Sequence, residues 1–388
     1  MRTEFEFFSP VKLVTGVGAA LHMDQWMKAF EAEKILVITG SHVAKSNAFS
    51  AFTEAMKVQG ISFEVYSKVI PEPPMGMVDE LAEYVRSENF GLVIAVGGGS
   101  PMDTAKAVCM LKNNEGSIKD YLFGGSRVPK APSLPLICIP TTAGSGSEVT
   151  ASSVIEDTDN HIKLSCTHPI LLPKIAILDP MMQQDMPPKI TAGTGMDALT
   201  HAIEAYTSKN SSVFSDIYAR RAIELIGEHL PKVMEEPDNL ESRMMMAQAS
   251  SMAAIAFVNG GLGAVHGISQ SMGGIAHTPH GITNAILLPK VMKYNYIGAV
   301  EKYADIASLL GVDTSQMSTE EAAKVAGEKI VEMNQQIGIP DNIACLKVTK
   351  NMFPEIIKGT MGYRLLWMNP VTFTEELAEK ILMESISE

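Results

Sequence analysis

The sequence predicts two domains in series: an α/β domain built on a parallel sheet, followed by an all-α domain. The chain has 388 residues, which is too long for one compact core and suits two domains. Short apolar β runs alternate with helical patterns in the first half, as in parallel sheets covered by helices. These β runs stop after Asp179-Pro180. We therefore expect a boundary near Met181–Pro188, which divides the chain into residues 1–185 and 186–388.

The predicted strands of the first domain are mostly continuous apolar runs, as expected for strands buried on both faces. They are Lys34–Thr39, Ser62–Tyr66, Gly91–Gly97, Leu134–Pro140 and Ile175–Asp179. The helical patterns between them are Phe49–Gln59, Met75–Glu88 and Pro101–Leu111.

Long helical patterns fill the second half. They are Lys189–Thr207, Val213–His229, Leu240–Phe257, Ile282–Asn295, Val300–Leu310, Thr319–Ile337 and Thr374–Met383. The stretch Met244–Pro289 contains no Asp, Glu, Lys or Arg, but repeated glycines and residues such as Asn259 and Thr278 interrupt it. A lipid-facing helix would expose such groups at high cost, so we expect buried helices and no membrane partner.

The composition excludes some classes of partner. The net charge is −13 and no cluster of Lys and Arg supplies a basic face, so a nucleic-acid partner is not expected. The four cysteines are far apart and form no CxxC, which indicates reduced thiols in a cytoplasmic protein. The N-terminus carries acidic residues where a signal peptide needs an apolar run.

The first candidate site is a glycine turn after the strand that ends at Gly97. Gly98, Gly99 and Ser100 are followed by Pro101, which is well tolerated in a first helical turn. Glycines allow close backbone approach, and a helix N-terminus binds anions, so a diphosphate is the expected ligand. A tight strand-to-helix turn without a ligand is the alternative interpretation, because the motif is not GxGxxG.

A second polar turn follows the strand before Pro140. It contains Thr141, Thr142 and Ser145 among two glycines and further hydroxyls. Ligands of open α/β sheets bind at the carboxyl ends of strands, so two such turns favour one diphosphate site. An ordinary Ser/Thr-rich loop is the alternative.

The end of the first predicted strand bears on cofactor choice. An acidic residue there would bind the ribose hydroxyls of NAD. The sequence instead has Gly40 and Ser41, with Lys45 nearby, which could accept a 2′-phosphate. NADP(H) is therefore an option, and NAD(H) is not excluded.

The third candidate site is a metal centre. Asp197 and His201 are four residues apart in a predicted helix, so they share one face. His266, His277 and His280 lie in the uncharged stretch, where apolar surroundings favour the neutral imidazole that a metal needs. Three imidazoles and one carboxylate suit Fe²⁺, with zinc, manganese or cobalt as substitutes. A carboxylate that orients a core histidine is the alternative for the first pair.

The chain resembles the iron-dependent (type III) alcohol dehydrogenase family over nearly its whole length. The motifs GGGSPMDTAKA, PTTAGSGSE, GTGMDALTHAIEAY and GGLGAVHGISQSMGGIAHTPHGITNAILLP carry the resemblance. It implies a Rossmann-like N-terminal domain, an all-helical C-terminal domain, the architecture also found in dehydroquinate synthase, and a cleft for cofactor and metal. It also implies a homodimer or larger oligomer.

The resemblance assigns roles to individual positions. The family's metal ligands fall on Asp197, His201, His266 and His280, and an aromatic position near its active site falls on Phe257. Its cofactor contacts fall on the two turns, including Asp103, and on Lys163 and Leu178.

Two departures from the family pattern affect proton transfer and cofactor choice. Many members have a second histidine four residues after the first ligand of the uncharged stretch, where this chain has Gln270. His277 stands where Asp or Asn is common, so we hypothesise that His277 or water takes over proton exchange. Gly40 replaces the Asp that is typical of NAD-selective members.

The expected activity is hydride transfer between NAD(P)(H) and a small primary alcohol or aldehyde, with the metal acting as a Lewis acid on the substrate oxygen. Three alternatives remain open at this point. They are a zinc-dependent polyol dehydrogenase with three ligands, a lyase resembling dehydroquinate synthase, and a catalytically silent scaffold. The lyase would need many Lys and Arg residues around its substrate, and the metal-site helices are nearly free of them.

Overall fold

The computed structural model describes residues 4–9, 11–158 and 162–386. They form two compact units. One unit is Ser9–Met186, and the other contains residues from Pro187 onward together with the described residues up to Phe8. The N-terminal residues therefore belong to the helical unit and not to the α/β unit in which the sequence places them.

The α/β unit is built on a six-stranded sheet of order β1-β8-β5-β4-β2-β3, in which every pairing is parallel. Its strands are β1 (Lys12–Thr15), β2 (Ile35–Gly40), β3 (Phe63–Val69), β4 (Leu92–Gly97), β5 (Leu136–Pro140) and β8 (Ile175–Leu178). A separate antiparallel pair consists of β6 (Ser152–Asp157) and β7 (Ile162–Thr167). Its helices are α1 (Met23–Trp26), α2 (Asn47–Val58), α3 (Met75–Ser87) and α4 (Gly99–Asn113).

Two apolar cores cover the faces of this sheet, because the side chains of each strand alternate between faces. On β2, Ile35 and Val37 pack in the same core as Phe52 of α2. Leu36 and Ile38 point to the opposite core, which contains residues of α3 and α4. Each fully buried side chain of this size contributes about 1.5–3 kcal/mol. Burial on both faces explains why the strands are continuous apolar runs.

The helical unit contains nine α-helices among its described residues. They are α5 (Pro188–Thr207), α6 (Val213–Glu235), α7 (Leu240–Gly260), α8 (Ala264–Ala276), α9 (His280–Asn295), α10 (Val300–Leu309), α11 (Thr319–Gln336), α12 (Phe353–Met361) and α13 (Glu375–Ser385). The predicted class, an α/β region followed by an all-helical region, is confirmed.

The stretch without Asp, Glu, Lys or Arg forms most of α7, all of α8 and most of α9. Within the described residues, no single helix is both long and apolar enough to cross a membrane. The pair α7 and α8 meets that criterion only jointly, and it is bent by 102° at the break between the two helices.

Candidate active site

Helix α5 presents three acidic or histidine side chains on one face. Asp197, His201 and Glu204 follow the i, i+4, i+7 spacing that aligns residues along a helix. All three side chains are buried. A row of polar groups inside an apolar bundle requires partners, because unpaired buried charges are costly.

Two further histidines reach Asp197 from α8 and α9. The Nε2 atoms of His201 and His266 each lie 3.9 Å from Asp197 Oδ1, and that of His280 lies 3.6 Å away. The rings of His201 and His266 stack with centroids 4.7 Å apart. Three imidazoles therefore converge on one carboxylate oxygen.

A close approach of two helices at Gly281 places His280 beside Asp197. A Cβ atom on Gly281 would lie 2.3 Å from the carbonyl oxygen of Gly193 on α5, so no larger residue fits without moving a backbone. The same Cβ atom would lie 3.4 Å from Asp197 Cβ. Glycine at this position lets the start of α9 lie directly against α5.

Glu204 connects α5 to the start of α8. Its Oε1 accepts a hydrogen bond from the Val265 backbone N–H at 2.7 Å, and its Oε2 lies 2.6 Å from His266 Nδ1. A carboxylate at a helix N-terminus satisfies a free N–H and complements the helix dipole. Because an ionised carboxylate only accepts hydrogen bonds, His266 carries its proton on Nδ1. Its Nε2 lone pair is therefore available on the side of Asp197.

Asn284 lies one helical turn after His280 and contacts three members of the cluster. Its Nδ2 donates to Asp197 Oδ1 at 2.7 Å and lies 3.3 Å from His266 Nε2 and 3.2 Å from His280 Nε2. Its Oδ1 is buried and accepts no hydrogen bond from any residue that the structure describes, an arrangement that costs about 1–3 kcal/mol.

The charge state of Asp197 suits cation binding. Burial alone would raise the pKa of this carboxyl. The neighbouring imidazoles of His201, His280 and His266 and the Asn284 hydrogen bond outweigh that effect, so the pKa of Asp197 lies below its ordinary value. The group is an anion at neutral pH.

The geometry and the donor set both fit a divalent transition-metal ion. A cation that lies about 2.0–2.2 Å from its ligands can bridge atoms up to about 4.4 Å apart, and the three Nε2–Oδ1 distances are shorter than that. The ligand atoms of Asp197, His201 and His266 all lie within 4.8 Å of one another. Imidazole and carboxylate ligands suit iron and zinc.

The three residues that the sequence analysis places near the reaction centre differ in their position relative to this cluster. The ring of Phe257 stacks on that of His201, with centroids 4.6 Å apart. Gln270 lies on α8 one turn after His266 and is half-buried. His277 is exposed at the C-terminal end of α8, where its backbone has a φ of 50°. Phe257 is thus a wall of the cluster, while the proton-transfer role of His277 stays a prediction.

In the α/β unit, the two polar turns follow neighbouring strands, since Gly97 of β4 pairs with Pro140 of β5. A Cβ atom on Gly98 would lie 3.2 Å from Thr142 Oγ1, and one on Gly99 would lie 3.3 Å from Ser145 Oγ. Thr141 also donates its backbone N–H to the Gly97 carbonyl. The turns meet at the N-terminus of α4, which is the arrangement that an anion site requires.

The second turn is fixed by a buried charge network. Lys106 is fully buried, and its Nζ donates to Ser147 Oγ, Thr150 Oγ1 and the Ser152 carbonyl at 2.7–3.0 Å. Asp103 accepts from Ser147 Oγ at 2.6 Å and from the Val154 N–H at 3.0 Å. Burial lowers the pKa of Lys106 and raises that of Asp103, while the opposite charge of each partner counteracts both shifts. The carboxylate of Asp103, a predicted cofactor contact, is thus engaged within the protein.

The remaining predicted cofactor contacts are spread over the unit. Gly40 ends β2, with the exposed Ser41 after it. Ser100 accepts a hydrogen bond from the Glu72 backbone, and Lys163 on β7 forms an ion pair with the Glu72 side chain. Leu178 ends β8 and is buried.

Sequence reasoning missed Glu204 and Asn284 as parts of the cluster. Helical spacing could have identified both. Glu204 follows His201 by three residues and Asn284 follows His280 by four, so each shares a face with a predicted ligand.

Two family models match the chain. The model of the iron-containing alcohol dehydrogenase family matches residues 10–180, and that of the C-terminal domain of the same family matches residues 191–386.

Individual proteins match along nearly their full length. Choline dehydrogenase from Bacillus subtilis is 36% identical over 95% of this chain and 92% of its own length. NAD-dependent methanol dehydrogenase from Bacillus methanolicus is 36% identical over 97% of this chain and 98% of its own. A crystal structure of 1,3-propanediol oxidoreductase superposes with a TM-score of 0.94 at 33% identity, covering 99% of this chain and all of that one.

Proposed function

Because the chain belongs to the iron-containing alcohol dehydrogenase family, whose members are oxidoreductases, we propose that Asp197, His201, His266 and His280 hold Fe²⁺ for alcohol and aldehyde chemistry. The observation that carries the proposal is the convergence of three imidazole Nε2 atoms within 3.9 Å of Asp197 Oδ1. A carboxylate that merely oriented one core histidine would not need the other two.

A divalent cation held there supplies Lewis acidity toward an alcohol or carbonyl oxygen, and a nicotinamide cofactor carries the hydride. The protein's own residues orient the metal ligands and set the electrostatic environment around them. Glu204 fixes the tautomer of His266, so that its Nε2 faces the ligand set. The stacked rings of His201 and Phe257 form an apolar wall, which limits the access of water to the ligands and strengthens electrostatic interactions there.

The turns at Gly98 and Thr142 would bind the cofactor diphosphate through backbone N–H groups and hydroxyls. Their adjacency at the start of α4 supports this role. We propose that both NAD(H) and NADP(H) are accepted. Gly40 offers no carboxylate to repel a 2′-phosphate, and the exposed Ser41 and Lys45 could bind one. The NAD-dependent methanol dehydrogenase among the relatives supports NAD(H) as a cofactor.

We propose a small primary alcohol, or the corresponding aldehyde, as the substrate. The relatives named for choline, methanol and 1,3-propanediol support this class. The surroundings of the ligands support it too, because the predicted contact Phe257 is apolar and no Lys or Arg lies in the stretch Met244–Pro289. A phosphorylated acidic substrate, as in the lyase alternative, would lack cationic partners there.

A substrate panel tests this function. Purified enzyme with Fe²⁺ is assayed anaerobically against choline, methanol, 1,3-propanediol, longer alcohols and their aldehydes, with NAD(H) and NADP(H) in parallel. We expect cofactor-coupled turnover with at least one small alcohol, and a kcat/KM ratio between the cofactors below about 100. No change in nicotinamide absorbance with any substrate would contradict the proposal.

We further propose a cytoplasmic homodimer or larger oligomer. The start of α6 supports association, because Val213, Phe214 and Ile217 expose 40–62% of their surface. The four free cysteines support a reducing compartment. Light scattering coupled to size-exclusion chromatography would contradict the oligomer if it gave a mass near 41.9 kDa.

A further inference from the structure

Asn284 is a polar side chain in the ligand cluster to which the sequence analysis assigned no role. It is fully buried, and its Nδ2 lies within hydrogen-bonding distance of one atom on each of Asp197, His266 and His280. One carboxamide nitrogen therefore contacts three of the four proposed ligands, which come from three different helices. A structural asparagine that only joined two helices would need a single partner.

The three contacts differ in strength. The distance to Asp197 Oδ1 is 2.7 Å, typical of a strong bond to a charged acceptor, whereas the two imidazole contacts are 3.2 and 3.3 Å. An amide nitrogen has two N–H groups, so it cannot satisfy three acceptors at once. The bond to Asp197 is the one that can persist when a cation binds, because a carboxylate oxygen has a second lone pair.

We propose that Asn284 is a positioning residue of the cation site, whose N–H holds Asp197 in the orientation that presents its carboxylate to the cation. The inference rests on the proposed function, since it assumes that this cluster binds a metal. Hydrogen-bond partners of metal ligands reduce the disorder that a ligand loses on binding, and their removal commonly weakens metal affinity by about 10–100-fold.

The test measures cation affinity and needs no activity assay. Co²⁺ is titrated into chelator-treated protein in competition with a chromophoric chelator, and its visible absorption reports the coordination. We expect Asn284→Ala to weaken Co²⁺ binding by about 10–100-fold. Asn284→Leu keeps nearly the same shape but has no N–H to donate to Asp197. It should therefore weaken Co²⁺ binding by a similar factor.

The matched control is Asn334→Ala. Asn334 is also a buried asparagine in this unit, and its Nδ2 donates at 2.7 Å to the carbonyl of Ala285, which is not one of the proposed ligands. Its variant should lower Tm while leaving Co²⁺ affinity within twofold. A role for Asn284 limited to packing predicts the same behaviour for both alanine variants.

The outcomes separate the two proposals. Parent protein that binds no Co²⁺ would overturn the proposed function itself. Parent protein that binds Co²⁺, with Asn284→Ala within twofold of it, would overturn only the role of Asn284. If Asn284→Ala does not fold, Asn284→Leu decides, because a Co²⁺ affinity within twofold of the parent would also overturn that role.

Discussion

His266 donates its Nδ1–H to Glu204 Oε2 across 2.6 Å, and both side chains are buried. The same carboxylate accepts the Val265 N–H through Oε1. One residue of α5 thereby fixes both the start of α8 and the tautomer of the histidine that α8 carries. As a consequence of this pair, the Nε2 lone pair of His266 faces Asp197.

We expect Glu204→Gln to weaken cation affinity by about 10–100-fold while the protein still folds. The amide oxygen can still cap α8, but the NH2 group cannot accept from His266 Nδ1, and the side chain lacks the charge that makes the imidazole a strong ligand. Glu204→Ala should also lower Tm, because the Val265 N–H and His266 Nδ1 lose their partner. Chelator competition and thermal melting check the two effects. Equal affinity of Glu204→Gln and the parent would contradict the first.

The glycine turn gives a prediction about the cofactor. Gly99→Ala should raise KM for the nicotinamide cofactor several-fold, because its Cβ atom would lie 3.3 Å from Ser145 Oγ and push the two turns apart. Gly76→Ala is the control, since a Cβ atom there meets nothing within 4 Å and alanine is the better helix former. Steady-state kinetics at varied cofactor concentration measure both. An unchanged KM in Gly99→Ala would place the diphosphate elsewhere.

Proton exchange gives a third prediction. If His277 relays the proton, His277→Ala should lower kcat and remove one step from its pH profile. Gln270→His serves as a comparison, because it restores a titratable group one turn after His266. A His277→Ala profile that superposes on that of the parent would assign proton exchange to water.

The cysteines give a prediction about pH and reactivity. Burial raises the pKa of Cys166 to about 11 and raises those of Cys109 and Cys138 further, so these groups are neutral thiols at pH 8. Cys345 is exposed. We expect one thiol per native chain to react with a disulfide reagent at pH 8, faster as the pH rises, and all four after denaturation. Rapid reaction of more than one thiol in native protein would contradict this burial.

The strands and the cluster of Asp197 with three histidines could be predicted because their signals are local. Continuous apolar runs such as Leu92–Gly97 mark strands buried on both faces. Histidines in a stretch without other charges predict a metal centre, and the structure places His266 and His280 within 3.9 Å of the same carboxylate oxygen of Asp197. Asp197 and His201 had the helical spacing that this site requires.

Two of the elements that the sequence analysis did not predict, β1 and α8, depend on partners far away in the sequence. Strand β1 has four residues, one of them the exposed Leu13, and it is a strand only because it pairs with β8. The hairpin β6–β7 lies outside the main sheet. Helix α8 contains Gly267, Gly273 and Gly274, which lower helix propensity, so it depends on packing and on the Glu204 cap.

Removal and return of the metal tests the central claim most directly. Protein treated with a strong chelator under anaerobic conditions is assayed with its best alcohol, before and after the addition of Fe²⁺, with His266→Ala treated in parallel. We predict that turnover falls by roughly 10³-fold or more on removal, as loss of several kcal/mol of Lewis-acid stabilisation requires. Fe²⁺ should restore it in the parent and not in the variant. Full activity in protein shown by elemental analysis to contain no metal would contradict the account.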